Sequence, residues 1–413
     1  MPKPAAKRSK VKSPFALHPT LTPRSNPVTA RARALALSPD GAHLLVVDDG
    51  RARFFDTRTG EPALQGTALD GREVEHVAWS PRGDAVALLR RGDRSANVTL
   101  GDFPSGAVRH EVALEEFGTF SHGHPGVTAA VMAFGEDGST LWARSVPDIS
   151  RRDSFVWRVD GAGGAAACAR LPLGDLVEAI APLDGDRLVA VAGHRGPDTL
   201  VVWRFGDEAP LASDDEVWGL DLALAGGRVW VAGDDRWAFS VDPAGLLAGR
   251  LGEPSPKRLA LEHKRGQPAR DARVEALASR ARGKWYQQHF QWRRDVEASK
   301  AEDERRSESP RSRPGARAWL HEEPNGVPQC ARLGRAALVR DGVTLSAWWE
   351  DDGAFRELRL VEDLLKCAPS GSRMVDVAAA GGVVAVAWDK SLGGGTALVH
   401  VMEVDLAALG LAA

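Results

Sequence analysis

Several residues in this chain are of types that carry chemistry. Ser121-His122-Gly123-His124 holds two imidazoles close together, which would suit a metal ion if carboxylates converged on them. Acid pairs stand at Asp48-Asp49, Asp234-Asp235 and Asp351-Asp352, and paired carboxylates are what general acid–base work requires. Cys168, Cys330 and Cys367 are odd in number and outside any CxxC pair, which argues against a disulfide framework and a structural zinc site. The glycine runs at Gly161–Gly164 and Gly393–Gly395 lack the lysine and the strand-to-helix setting of a phosphate cradle. Arg91-Gly92-Asp93 is too short a string to imply adhesion. The acid pairs recur at one place in a repeating unit, where Asp hydrogen-bonds its own backbone in a turn. No catalytic residue, no metal site and no cofactor are therefore expected.

That repeating unit must position all of these groups. Residues 34–60 read ALALSPDGAHLLVVDDGRARFFDTRTG: three short strands joined by the turns Ser38-Pro39-Asp40-Gly41 and Asp48-Asp49-Gly50. Strands so close in sequence, joined only by hairpin turns, form an antiparallel meander. The grammar returns in Val77–Gly83, in Ala133–Gly138 with Asp137, and in Pro182–Gly185 with Asp184. Looser copies run through Trp218–Ala232, Ala336–Trp349 and Met374–Trp388. Matching glycines of the early copies are spaced by 42, 55, 47 and 42 residues, close to the period of propeller blades with about four strands each. A twisted four-stranded sheet cannot bury both its faces alone, so neighbouring sheets must stack around a ring. A stretch within about 14–29 is expected to supply the outer strand that closes it.

With these residues in view, the chain resembles the WD40 family. Asp40 and Gly41 match the first turn of that repeat, and Asp49 and Asp56 match its second turn and its Trp-Asp ending, with Phe55-Asp56 standing in. Asp235 and Asp242 repeat the same spacing, and Trp157 and Trp203 fall at the endings of the third and fourth copies. Gly123-His124 resembles the Gly-His dipeptide of the family, which implies an internal hydrogen bond for His124. The resemblance covers roughly residues 32–251 and 317–413, is degenerate in its Trp-Asp endings, and speaks to fold rather than function. It implies an all-β, seven-bladed β-propeller of four-stranded antiparallel blades.

Between the fifth and sixth copies the period stops. Residues 252–316 open and close on proline-rich flanks, while 269–306 space apolar residues as on one helical face. A charged helical insertion is expected there. It carries the aromatic cluster Trp285, Tyr286, His289, Phe290 and Trp292 beside Arg293. So large an apolar area needs cover, either the side of the propeller or a protein partner.

Charge is unevenly placed. Residues 1–33 hold eight Lys/Arg and no acid, and 253–316 hold sixteen Lys/Arg against ten Asp/Glu, although the whole chain is at −3. Residues 1–31 read as a basic, mostly disordered tail. The N-terminus has no apolar core of a secretory signal, and no run approaches a membrane span. A cytoplasmic protein is expected, and the Ala/Gly/Arg-rich composition points to a bacterial source. The expected role is a non-catalytic protein–protein interaction scaffold in a multiprotein complex, with Trp285 to Arg293 as its partner-binding segment. The alternatives are an enzyme with its active site in the central funnel, and a nucleic-acid-associated protein using the basic tail and insertion.

Overall fold

The computed structural model describes residues 21–25, 27–30, 32–64, 66–67, 69, 73–91, 96–114, 132–148, 153–172, 177–192, 198–217, 221–233, 237–241, 243–244, 329–341, 344–351, 354–361, 372–390 and 397–412. The chain divides into one unit of Met1–Arg258 with Pro324–Ala413 and a second of Leu259–Glu323, the latter outside the described residues.

All named elements are strands. After β1 (Leu21–Pro23), the first meander is β2 (Ala32–Leu37), β3 (His43–Asp48), β4 (Arg51–Asp56) and β5 (Pro62–Leu64). The second is β6 (Val74–Trp79), β7 (Ala85–Arg91), β8 (Ala96–Asp102) and β9 (Val108–Leu114). The third is β10 (Met132–Phe134), β11 (Thr140–Asp148), β12 (Asp153–Asp160) and β13 (Ala166–Arg170). Then come β14 (Val177–Pro182), β15 (Arg187–Ala192), β16 (Asp198–Arg204) and β17 (Ala212–Val217). They are followed by β18 (Asp221–Ala225), β19 (Arg228–Gly233) and β20 (Trp237–Val241). The last elements are β21 (Gln329–Leu333), β22 (Ala336–Asp341), β23 (Thr344–Asp351) and β24 (Ala354–Val361), then β25 (Ser372–Ala380), β26 (Val383–Lys390) and β27 (Leu398–Val404).

Each meander is one antiparallel sheet in chain order, and β1 joins the last, giving the order β1-β27-β26-β25. Innermost strands stand side by side: β2 by β6, β6 by β10, β10 by β14, β14 by β18, β18 by β21, β21 by β25, and β25 by β2. That succession closes on itself, the arrangement of a propeller.

The blade count corrects the expectation. Four-stranded blades number six, because the sheet β18-β19-β20 has three strands among the described residues. The first three sheets share one turn after the third strand. Gly60, Gly106 and Gly164 donate their N–H to Asp56, Asp102 and Asp160 at 2.8–2.9 Å, turning the chain back into a fourth strand. After Val241, Pro243 and Ala244 take helical conformation. Beyond that step, no helix is among the described residues. The helical insertion expected over 269–306 lies outside them.

Both faces of each second strand are buried, as stacking between sheets demands. Leu44 to Val47 of β3, Leu188 to Val191 of β15 and Val383 to Trp388 of β26 are all without solvent exposure. The turns that launch β3, β7 and β11 share one bonding pattern: Gly41 and Gly83 donate their N–H to the Ser38 and Ser80 carbonyls, and Gly138 donates to that of Gly135.

The ring closes through several devices. On the outside, Leu21, Thr22 and Pro23 pair with Val404, Glu403 and Met402, and Val28 and Val399 exchange N–H···O bonds at 2.9 and 2.8 Å. At the turns, Gly41 has φ +68°, and a Cβ there would lie 2.6 Å from the Val383 side chain and 2.9 Å from the Ala380 carbonyl. Only a residue without a side chain fits between the first and last sheets.

Candidate functional site

The residues of the repeat turns are spent on the turns themselves. Asp40 Oδ1 accepts the Ser38 hydroxyl and the Ala42 N–H, Asp56 Oδ1 accepts the N–H of Arg58 and Thr59, and Asp137 Oδ1 accepts that of Ser139. Asp184 accepts the N–H of Asp186 and Arg187 and pairs with the Arg187 guanidinium. Partial burial of Asp40 and Asp56 opposes ionisation, but these donated bonds outweigh it and hold both carboxyls below their ordinary value. Asp49 adopts φ +49°, a left-handed conformation that Asp tolerates in turns. Trp157 is packed among Leu141, Ala143 and Val159, and Trp203 is fully buried with its Nε1–H donated to the Asp207 carbonyl at 2.9 Å. His124, Asp235 and Asp242 lie outside the described residues, as do Trp285, Tyr286, His289, Phe290, Trp292 and Arg293.

A second polar group was missed in the sequence reading and lies on the innermost strands. Asp221, Gln329 and Asp376 occupy one repeat position in three consecutive sheets, each seven residues before the first residue of the following strand (Arg228, Ala336 and Val383). Each reaches forward or back to the next sheet. Asp221 Oδ2 accepts the N–H of Cys330 at 2.9 Å, bridging β18 to β21. Gln329 Nε2 donates to Asp376 Oδ1 at 2.6 Å, bridging β21 to β25, and its Oε1 accepts from Arg340 Nη1 at 2.6 Å. Asp376 Oδ2 accepts the N–H of Leu35 at 2.7 Å, bridging β25 to β2. The β25–β26 ladder shifts register between Met374 and Asp376.

The electrostatics follow from burial. Burial pushes the Asp376 carboxyl up to about 6, against the donated bonds of Leu35, Gln329 and Val377 and the charge of Arg340. It lowers Arg340 to about 10, with Asp376 and Asp221 pulling the other way, so the guanidinium stays charged at neutral pH. Burial, with Asp221 beside it, pushes the Cys330 thiol well above its ordinary value, which leaves it a poor nucleophile. On the far side of the ring, burial and then Arg144 depress His76. Arg144 itself donates to the Val177 carbonyl at 2.6 Å, tying β11 to β14. A buried acid in an apolar innermost strand, as in Trp218-Gly-Leu-Asp221-Leu or Val375-Asp376-Val377, was the signal available in the sequence.

This arrangement joins sheets to one another. Among the described residues, no group of three or more His, Cys, Asp or Glu is placed to hold a metal ion.

No protein-family model matches the sequence, and no curated protein matches it. Solved structures do. The chain is similar to a structure of U3-55K at 12% identity and TM-score 0.52, covering 93% of this chain and 98% of that one. It is similar to the Cps50 (Swd1) β-propeller domain of Myceliophteria thermophila at 14% identity and TM-score 0.51, over 92% and 98%. It is also similar to the RRP9 WD40 repeats at 12% identity and TM-score 0.50, over 92% and 97%. The chain has the fold of a WD40-like β-propeller. In this WD40-like propeller the degenerate Phe55-Asp56 ending keeps its turn geometry, while the inner-strand polar row adds a link between sheets. Identities this low speak to fold alone.

Proposed function

We propose that this WD40-like propeller is a non-catalytic scaffold for protein partners, with the segment around Trp285 to Arg293 as its docking element. The observation that carries the reading is how the polar residues are used. The turn carboxylates accept their own backbone N–H groups, and the inner carboxylates Asp221 and Asp376 accept those of the next sheet. Carboxylates engaged in this way hold the ring together and are poorly placed to move substrate protons. Propellers of this type commonly present loops and insertions to other proteins. Here the insertion between β20 and β21 concentrates two Trp, one Tyr, one Phe and several Arg, the residue types that dominate binding hot spots. The same reading carries a cytoplasmic setting and a bacterial source. No helix among the described residues is long and apolar enough to cross a membrane.

The test has two stages. Partners retained by the intact chain, and lost when 257–309 are removed, are identified by mass spectrometry. Affinity for the identified partner is then measured with Trp285→Ala and Trp292→Ala. A hot-spot tryptophan is worth about 2 kcal/mol, so each change is expected to weaken binding roughly 30-fold. Turnover of a small molecule by the partner-free protein, or unchanged affinity in both variants, would overturn the proposal.

A further inference from the structure

The buried row Asp221, Gln329, Asp376 ends where the ring closes, and Asp376 touches three sheets at once. Its Oδ2 accepts from Leu35 of β2, and its Oδ1 accepts from Gln329 of β21 and from its own neighbour Val377 at 2.9 Å. The residue is 6% exposed. All three direct donors are neutral dipoles, and the cation Arg340 donates to the Oε1 of the same Gln329 amide. The charged or titratable side chains described on the surrounding strands are Arg33 on β2, Arg332 and Cys330 on β21, Arg340 on β22, Asp221 on β18 and Asp389 on β26. Of these, Arg340 is the charge that acts on Asp376, and it favours the ionised form.

We propose that Asp376 is a proton-operated latch at the seam where the propeller closes: ionised, it holds β2, β21 and β25 together, and on protonation it hands back the Leu35 N–H. The hydrogen-bond inventory forces the exchange. A carboxylate accepts at both oxygens, whereas a carboxylic acid has one oxygen that must donate. If the proton sits on Oδ2, that O–H faces another donor, the Leu35 N–H, and the bond is lost. If it sits on Oδ1, Gln329 must turn its amide over to accept, and Arg340 then loses the Oε1 that it holds. The second route leaves a buried guanidinium without that acceptor, so the first is the cheaper one.

Backbone hydrogen exchange on the full-length chain tests this directly. With Asp376 titrating at about 6, protection of the Leu35 amide, corrected for the intrinsic rate, is compared at pH 7 and pH 5. Loss of one hydrogen bond predicts a fall of about fivefold at the lower pH. In Asp376→Asn, whose amide presents a donor toward Leu35, protection is expected to be low at both values. Asp221→Asn serves as the control and is expected to keep the wild-type pH profile at Leu35. Unchanged protection in the wild-type protein between pH 7 and pH 5 overturns the latch, and that measurement stands even if Asp376→Asn fails to fold. A pH profile in Asp376→Asn equal to that of the wild type overturns it as well.

Discussion

At the scale of single residues, similar carboxylates have opposite environments. Asp40, Asp56 and Asp137 lie in exposed turns, accept backbone N–H groups, and have depressed folded-state values. Their contribution to stability is present above the unfolded value of 3.8 and is lost as pH falls through the lower folded value. Asp376 is raised instead, so the folded protein takes up its proton first. As pH falls from about 6 toward 3.8, this one group favours the folded state increasingly over the globally unfolded one, because relief of the buried charge outweighs the single Leu35 bond given up locally. Asp221 has a simpler role. Asp221→Ala would leave the buried Cys330 N–H without the oxygen that accepts it, an expected cost of about 1–3 kcal/mol. The check is a lower denaturant midpoint at constant slope; an unchanged midpoint would mean that another acceptor replaces the carboxylate.

Among the elements, closure is the weak point of any propeller, and here it is built redundantly. β1 adds to β27, Val28 and Val399 bond twice, and the glycine turns of the first and last sheets interlock. Removing residues 1–31 is expected to lower the thermal midpoint by several degrees, read by calorimetry. A midpoint that does not move would place the whole burden of closure on the inner strands. Gly41→Ala introduces a Cβ into the Val383 side chain at a positive φ, and about 2 kcal/mol of destabilisation is expected. The carboxyl end is also anchored: Leu411 is fully buried against Leu333 and Val404, and its carbonyl accepts the Arg335 N–H at 3.2 Å. Leu411→Ala is expected to cost about 2–5 kcal/mol in chemical denaturation.

For the whole molecule, two partly buried histidines contribute to the response to acid. Burial depresses His76 and His400, with Arg144 adding to the effect at His76. Between the unfolded value of 6.5 and the lower folded values, the unfolded chain binds more protons, so stability falls as pH drops. Asp376 opposes that trend over part of the same window. The double variant His76→Gln, His400→Gln is therefore expected to flatten the fall in thermal midpoint between about pH 6.5 and pH 4. A profile as steep as that of the wild type would assign acid sensitivity to other groups.

How far the sequence reached can be seen at particular positions. Ser38-Pro39-Asp40-Gly41 and its copies determined the meanders, because turn chemistry is local: a positive φ needs glycine, and a short polar side chain caps the backbone beside it. The apolar run Val383 to Trp388 determined a strand covered on both faces. The number of described strands in the fifth sheet was not legible in the same way, since the repeat in Asp234–Asp242 reads as regular in sequence. Nor was the inner row. Asp221, Gln329 and Asp376 are far apart in sequence, differ in residue type, and each looks like a stray polar residue in an apolar strand. What relates them is the ring, which brings one repeat position of each sheet against the next and supplies buried N–H groups that need an acceptor. Local rules wrote the blades, whereas the contacts between blades, and the proton-binding site at their seam, exist only once the ring has closed.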